Sequence, residues 1–249
     1  MRFGLLPLLT LLIGGAALTH SSRPQPDAKP SWLVGSPAAP FTSQPRLLPN
    51  DFALGESQQM ALFSQLDVGD RQWQPQATPI PGGGMRYTYK RISGEPPLTL
   101  EQIKALIVRP PRFDLERSAI RDLLLALRRS GVAVVLGQPR KVGAAGEWEP
   151  KRMVVRIRPD VPGKGSREFV RVLNHESIHV AQSCRNGSIH AQPVPLGLSR
   201  AVTARQLRNL AAPLYAGATP RERALEEEAY ANQHNLSLGR QLLQVHCRR

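Results

Sequence analysis

The sequence predicts an α+β domain in which a small sheet packs against one long helix and a helical C-terminal part. Three observations lead there. Apolar residues recur at helical spacing over 113–130 and again over 166–184. Between these stretches, residues 132–136 form an unbroken apolar run rich in β-branched side chains, the pattern of a buried strand. Beyond residue 184 only further helical patterns follow, each opened by a hydroxyl residue that can cap it.

The chain begins with Met1-Arg2 and an apolar run over 3–18 that ends in Gly14, Gly15, Ala16 and Ala17. This is the layout of a secretory signal peptide over residues 1–20, too short and glycine-punctuated for a comfortable span. The alternative is an uncleaved N-terminal membrane anchor. Residues 21–97 read as a proline-rich tether without its own fold, because Pro24, Pro26, Pro30, Pro37, Pro40, Pro45 and Pro49 remove amide donors from any ladder. Within it, 52–63 could make one short helix and 85–91 an edge strand.

The domain is expected over 98–249. Thr99 caps a short helix carrying Leu100, Ile103 and Leu106, which Pro110-Pro111 stops. A longer helix follows to Ser130, and Gly131 ends it. Residues 153–158 alternate Val155 and Ile157 with Arg156 and Arg158, which predicts a strand with one wet face, and 142–149 reads as a glycine-rich connection. Ser166 is expected to cap the helix that runs to Cys184, and Ser199 one over 200–214. Thr219-Pro220 opens the last helix, expected to run to the basic C-terminus.

The stretch that carries chemistry is His175-Glu176-Ser177-Ile178-His179, an H-E-x-x-H pattern. On a helix, positions four apart share a face, so His175 and His179 can offer two imidazole nitrogens to one metal ion. Glu176 lies beside them, placed to act on metal-bound water as a general base. Zinc takes such ligands, with three from the protein and one water in its catalytic sites. The uncharged neighbours from Val172 to Asn174, and Val180 with Ala181, fit a helix buried beneath a cleft rather than a solvated one.

Two histidines leave one ligand to find. Residues 226–230 read Glu-Glu-Glu-Ala-Tyr, and with HESIHVAQ they resemble the gluzincin zinc metallopeptidases, which take their third ligand from a Glu on a later helix. The resemblance covers about 150–235, roughly a third of the chain. It implies a zincin-like fold with the cleft between an edge strand and the H-E-x-x-H helix. It implies Glu226 as the third ligand, with Glu228 and Glu227 as the alternatives. Tyr230 stands where many members have Asp, which leaves open what orients the ligands. The implied activity is hydrolysis of peptide bonds in a peptide or protein substrate, with zinc-bound water as nucleophile and Glu176 as base. Tyr230, Tyr215 and His190 are candidate donors to the transition state, and Gln182 lies on the ligand side of its helix.

Cys184 and Cys247 suit an oxidising compartment and are expected to pair. Neither has a CxxC partner, so a thiolate zinc site is not indicated. A formal net charge of +14 points an exported protein toward anionic cell-envelope polymer or lipid surfaces. Nucleic acid is not expected, since no aromatic-plus-basic motif accompanies the charge. Two other classes stay open: an inactive zincin-like protein, and a basic cell-envelope binding module. The sequence says nothing of oligomeric state.

Overall fold

In the computed structural model, residues 44–91 and 95–247 are described. The signal peptide expected over 1–20 and the proline-rich stretch as far as residue 43 lie outside the described residues. The class is α+β, with seven α-helices among the described residues around a small mixed sheet.

The sheet forms where the β-branched runs were read. Strand β4 (Ala133–Leu136) pairs in parallel with β6 (Val154–Ile157), matching Val134 to Val155 and Leu136 to Ile157. Two further strands extend it. The short β1 (Phe52–Ala53) lies antiparallel on the outer side of β4. Strand β5 (Gly146–Glu149) lies antiparallel on the other side of β6 and forms the sheet edge. The glycine-rich connection predicted over 142–149 is therefore half strand. Its Glu-Trp-Glu sequence follows two glycines and has little strand propensity of its own, so pairing with β6 makes the strand.

One face of the sheet meets the helices. Val134, Leu136, Trp148, Val155 and Ile157 pack in one cluster with Ile120, Leu123 and Leu127 of α3 (Asp114–Arg129) and with Phe169, Val172 and Leu173 of α4 (Ser166–Arg185). The same cluster holds Leu62 and Leu66 of α1 (Gln59–Arg71), at 1% and 0% exposure. This corrects the tether expected over 21–97: within it, Phe52–Ala53 is a strand of the sheet and Gln59–Arg71 a helix of the core. Each fully buried leucine contributes about 1.5–3 kcal/mol, which offsets the cost of ordering a short helix. The expected helix over 52–63 is split into β1 and α1. The strand expected over 85–91 is β3 (Met85–Thr88), paired with β2 (Gln76–Pro79) in a separate two-stranded hairpin that turns on Gly82, Gly83 and Gly84, all at positive φ.

Helix α1 also fixes the start of α4. Ser166 does not cap that helix; it is the first helical residue. Asp70 of α1 caps instead, its carboxylate accepting from the Ser166 amide at 2.6 Å and the Ser166 hydroxyl at 2.7 Å. A negative charge there also suits the positive end of the helix dipole. Arg117 of α3 also donates to Asp70, at 2.7 Å. At the far end, Cys184 is bonded to Cys247, just past α7 (Leu238–His246), with their Cα atoms 5.1 Å apart. The two are 63 residues apart, and closing a loop of that length stabilises by on the order of 4 kcal/mol in the chain-entropy model.

The C-terminal helices depart in two places from the sequence reading. The helix expected at 200–214 is shorter, α5 (Ala204–Leu210), and its cap is Thr203 with Gln206 in a capping box rather than Ser199. Thr219 caps α6 (Pro220–Asn232) with Glu222 as expected, but α6 ends at Asn232 and α7 is separate. Helix α2 (Leu100–Val108) starts on its Thr99–Gln102 box.

The wet face expected for β6 is dry. Arg156 is 0% exposed, and its guanidinium is held by Asp51 at 2.6 Å and by Glu149 across the sheet. Burial opposes the charge on Asp51, but the hydrogen bonds and charge of Arg156 outweigh it and hold its carboxyl below the ordinary 3.8. A depressed carboxyl contributes stability above its unfolded pKa and loses it as pH falls through the folded value. Asp51→Asn is therefore expected to lower stability by about 3 kcal/mol at pH 7. Urea unfolding at pH 7 and near pH 3 should show the difference from wild type shrinking in acid.

Candidate metal centre and its cleft

Helix α4 is buried on almost every side, so its polar residues must find partners within the protein. His175 and His179, one turn apart, direct both Nε2 atoms to one point, 3.2 Å from each other. Helix α6 packs against α4 and brings Glu226 to the same point, its Oε2 lying 3.3 Å from His175 Nε2 and 3.7 Å from His179 Nε2. Ligand bonds of about 2.0–2.1 Å in a tetrahedron place neighbouring donor atoms about 3.3–3.4 Å apart. The three atoms therefore fit one tetrahedral ion with a fourth position open. Two neutral imidazoles and a carboxylate suit zinc, as they suit other divalent first-row metals.

Only one of the three consecutive glutamates faces this point. Glu227 is turned toward Arg200, 3.8 Å away. Glu228 is 1% exposed, and its carboxylate accepts from the amides of Leu196, Gly197 and Leu198 at 2.7–3.0 Å and from Gln182 Nε2 at 3.0 Å. The Gln182 amide nitrogen also donates to the Leu225 carbonyl, at 3.3 Å. With its nitrogen committed to two acceptors, Gln182 turns its oxygen to His179 Nδ1, 2.8 Å away. An oxygen there can only accept, so Nδ1 carries the proton and the Nε2 lone pair faces the metal point.

Without metal the point favours a proton. Burial pulls the His179 imidazole down, but the charge and hydrogen bond of Glu226, with Glu176, push it up to about 9. Although burial also opposes the charge on Glu226, the two histidines hold its carboxyl well below the ordinary range.

Glu176 is 5% exposed, and burial raises its carboxyl against the pull of His175 and His179, with Glu226 adding to the rise. A carboxylate so placed is poised to accept a proton and return it. Gly146, the first residue of β5, makes its position possible. A Cβ there would lie 2.7 Å from Glu176 Oε1 and 2.8 Å from Val172 Cγ1, so only glycine lets the strand edge pass so close. The cleft above, about 690 Å³, is walled by β5 and the turn after it on one side and by Tyr215 and the start of α6 on the other.

Both tyrosines named from the sequence reach this centre. The Tyr215 hydroxyl donates to Glu226 Oε2 at 3.2 Å and lies 3.2 Å from the Tyr230 hydroxyl. The Tyr230 ring meets the His175 ring edge-on, with centroids 4.8 Å apart. Burial first and the neighbouring Glu226 next push the Tyr215 phenol far above its ordinary range, so it remains a donor; burial raises Tyr230 as well. His190 is exposed, its Nδ1 3.3 Å from the Pro150 carbonyl, and is not part of the cleft wall. Sequence reading had no signal for Gly146. The Glu-Trp-Glu that follows it, apolar between polar, was the one local hint of an edge strand there.

Gln182→Ala should weaken zinc binding by about 10–100-fold, as loss of a group orienting a metal-binding histidine typically does, read by competition with a chromophoric chelator. Because the ion must displace the His179 proton, affinity should rise with pH, by up to about tenfold per unit, and level off near pH 9.

No family model, curated protein or solved structure matches this chain, so the reading of the centre rests on its own residues.

Proposed function

We propose that this protein is an exported, zinc-dependent peptidase with a gluzincin-like site on a zincin-like domain. The observation that carries the reading is the convergence of His175, His179 and Glu226 on one point beside a buried Glu176, beneath the edge strand β5. Zinc bound there supplies Lewis acidity that makes a water nucleophilic near neutral pH. Glu176 takes the proton of the attacking water and hands it to the departing amine, a transfer its raised pKa favours. Tyr215 and Tyr230 can donate to the oxygen that gains charge as the carbonyl carbon becomes tetrahedral, and the loss of one such donor typically costs about 3 kcal/mol. The outer edge of β5, unpaired among the described residues, offers backbone groups to an extended substrate. The disulfide supports export, since such bonds persist in oxidising compartments.

Metal analysis of the full chain tests the centre. Wild type should carry about one zinc per chain, and His175→Ala and Glu226→Ala should lose it. Glu176→Gln should keep the zinc and lower kcat on a peptide substrate by about 100-fold or more. A folded wild-type chain that takes up no zinc on reconstitution would end this reading.

A further inference from the structure

The peptidase reading leaves open which peptides the cleft takes, and the charges on its walls bear on that. Most charged groups there already have a task. Arg140 is held by Glu147 at 3.0 Å and Glu149 at 3.2 Å, and Arg152 approaches Glu149 at 3.6 Å. Glu222 is taken up by the cap of α6, accepting from the Thr219 amide at 2.8 Å and hydroxyl at 2.9 Å. Glu176 and Glu226 belong to the metal centre.

Three cations remain. Lys141 and Lys151 are exposed and form no ion pair among the described residues; Arg221, also exposed, is steadied by the Pro193 carbonyl at 2.8 Å and has no carboxylate partner there. Their placement is not random. Lys141 lies in the loop before β5, next to Arg140, whose amide donates to Glu147 of the strand at 2.6 Å, and Lys151 comes two residues after the strand ends. Arg221 stands on the opposite wall, in the first turn of α6. All three line the same cleft as His175, Glu176 and Glu226.

Resting on the peptidase reading, we propose that the cleft selects acidic peptides, with Lys141, Lys151 and Arg221 reading carboxylate side chains on both sides of the scissile bond. The net charge of +14 would draw such substrates in from a distance, so selection should weaken as salt screens it.

The test compares two fluorogenic peptides that differ only in having Glu or Lys at two positions on each side of the cleaved bond. Zinc-loaded wild type should show kcat/KM at least about tenfold higher on the Glu peptide at low salt, with the ratio falling as salt rises. Lys141→Glu/Lys151→Glu should erase the preference. Lys104→Glu/Arg129→Glu makes the same charge change at exposed positions outside the cleft and should leave it in place. Equal rates on both peptides would overturn the inference. So would an equal loss in both double variants, which would mean that the basic surface as a whole attracts anionic polymer. If zinc-loaded wild type cleaves neither peptide, the peptidase reading fails by itself. Fluorescence anisotropy of the same peptides on the Glu176→Gln chain then decides the inference: preferential binding of the Glu peptide, lost in Lys141→Glu/Lys151→Glu, upholds it, and equal binding overturns it.

Discussion

The candidate metal centre depends on a buried carboxylate outside its triad of His175, His179 and Glu226. Glu228 takes four N–H donors, three from the backbone of residues 196–198 and one from Gln182, and so ties α6, α4 and the intervening loop at one place. A buried carboxylate without a cation is tolerable only when its oxygens are so satisfied, and each amide left without it would cost about 1–3 kcal/mol. The consequence travels through Gln182 to His179 and sets which imidazole nitrogen faces Glu226. Glu228, two residues after Glu226 and acting through a glutamine, thereby constrains the ring of His179.

Helix α4 can hold this geometry because both its ends and most of its surface are fixed. Asp70 closes its amide end, the Cys184–Cys247 bond ties its other end to the chain terminus, and α3 and α7 pack along it. Asn174, one residue before His175, adds a further fixed point by donating to the carbonyls of Gln233 and Asn235 and accepting from the Gly239 amide, all at 2.9 Å. A site built on such a helix leaves its ligands little freedom to rearrange. The cleft walls differ: they carry exposed lysines on loops and Arg221 in the first turn of α6, where substitution costs the fold little.

The features legible in the sequence were those whose physics is local. The H-E-x-x-H spacing puts two histidines on one helix face whatever surrounds it. Thr99 and Thr219 reach only to the amide three residues on, so their caps could be read directly. Ser166 and Ser199 look alike in sequence, yet a carboxylate from α1 displaced the first as cap and Thr203 replaced the second. Helix α1 was legible only over 60–63, because prolines and glycines surround it and its stability comes from burying Leu62 and Leu66 in a core formed far along the chain.

The sequence by itself determined the α+β class, the two β-branched strands, the pair of histidines with Glu176 between them, and a set of three glutamates from which a ligand could come. Only the tertiary structure decided which glutamate serves. Successive helical residues point about a hundred degrees apart, and the packing of α6 on α4 selects Glu226 for the metal point, Glu228 for the interior and Glu227 for the side facing Arg200. The tertiary structure also decided that Arg156 is buried and that Gly146 lies against Glu176. Both facts depend on which strand becomes the neighbour of β6, and pairing between distant segments is not written in the local pattern of either.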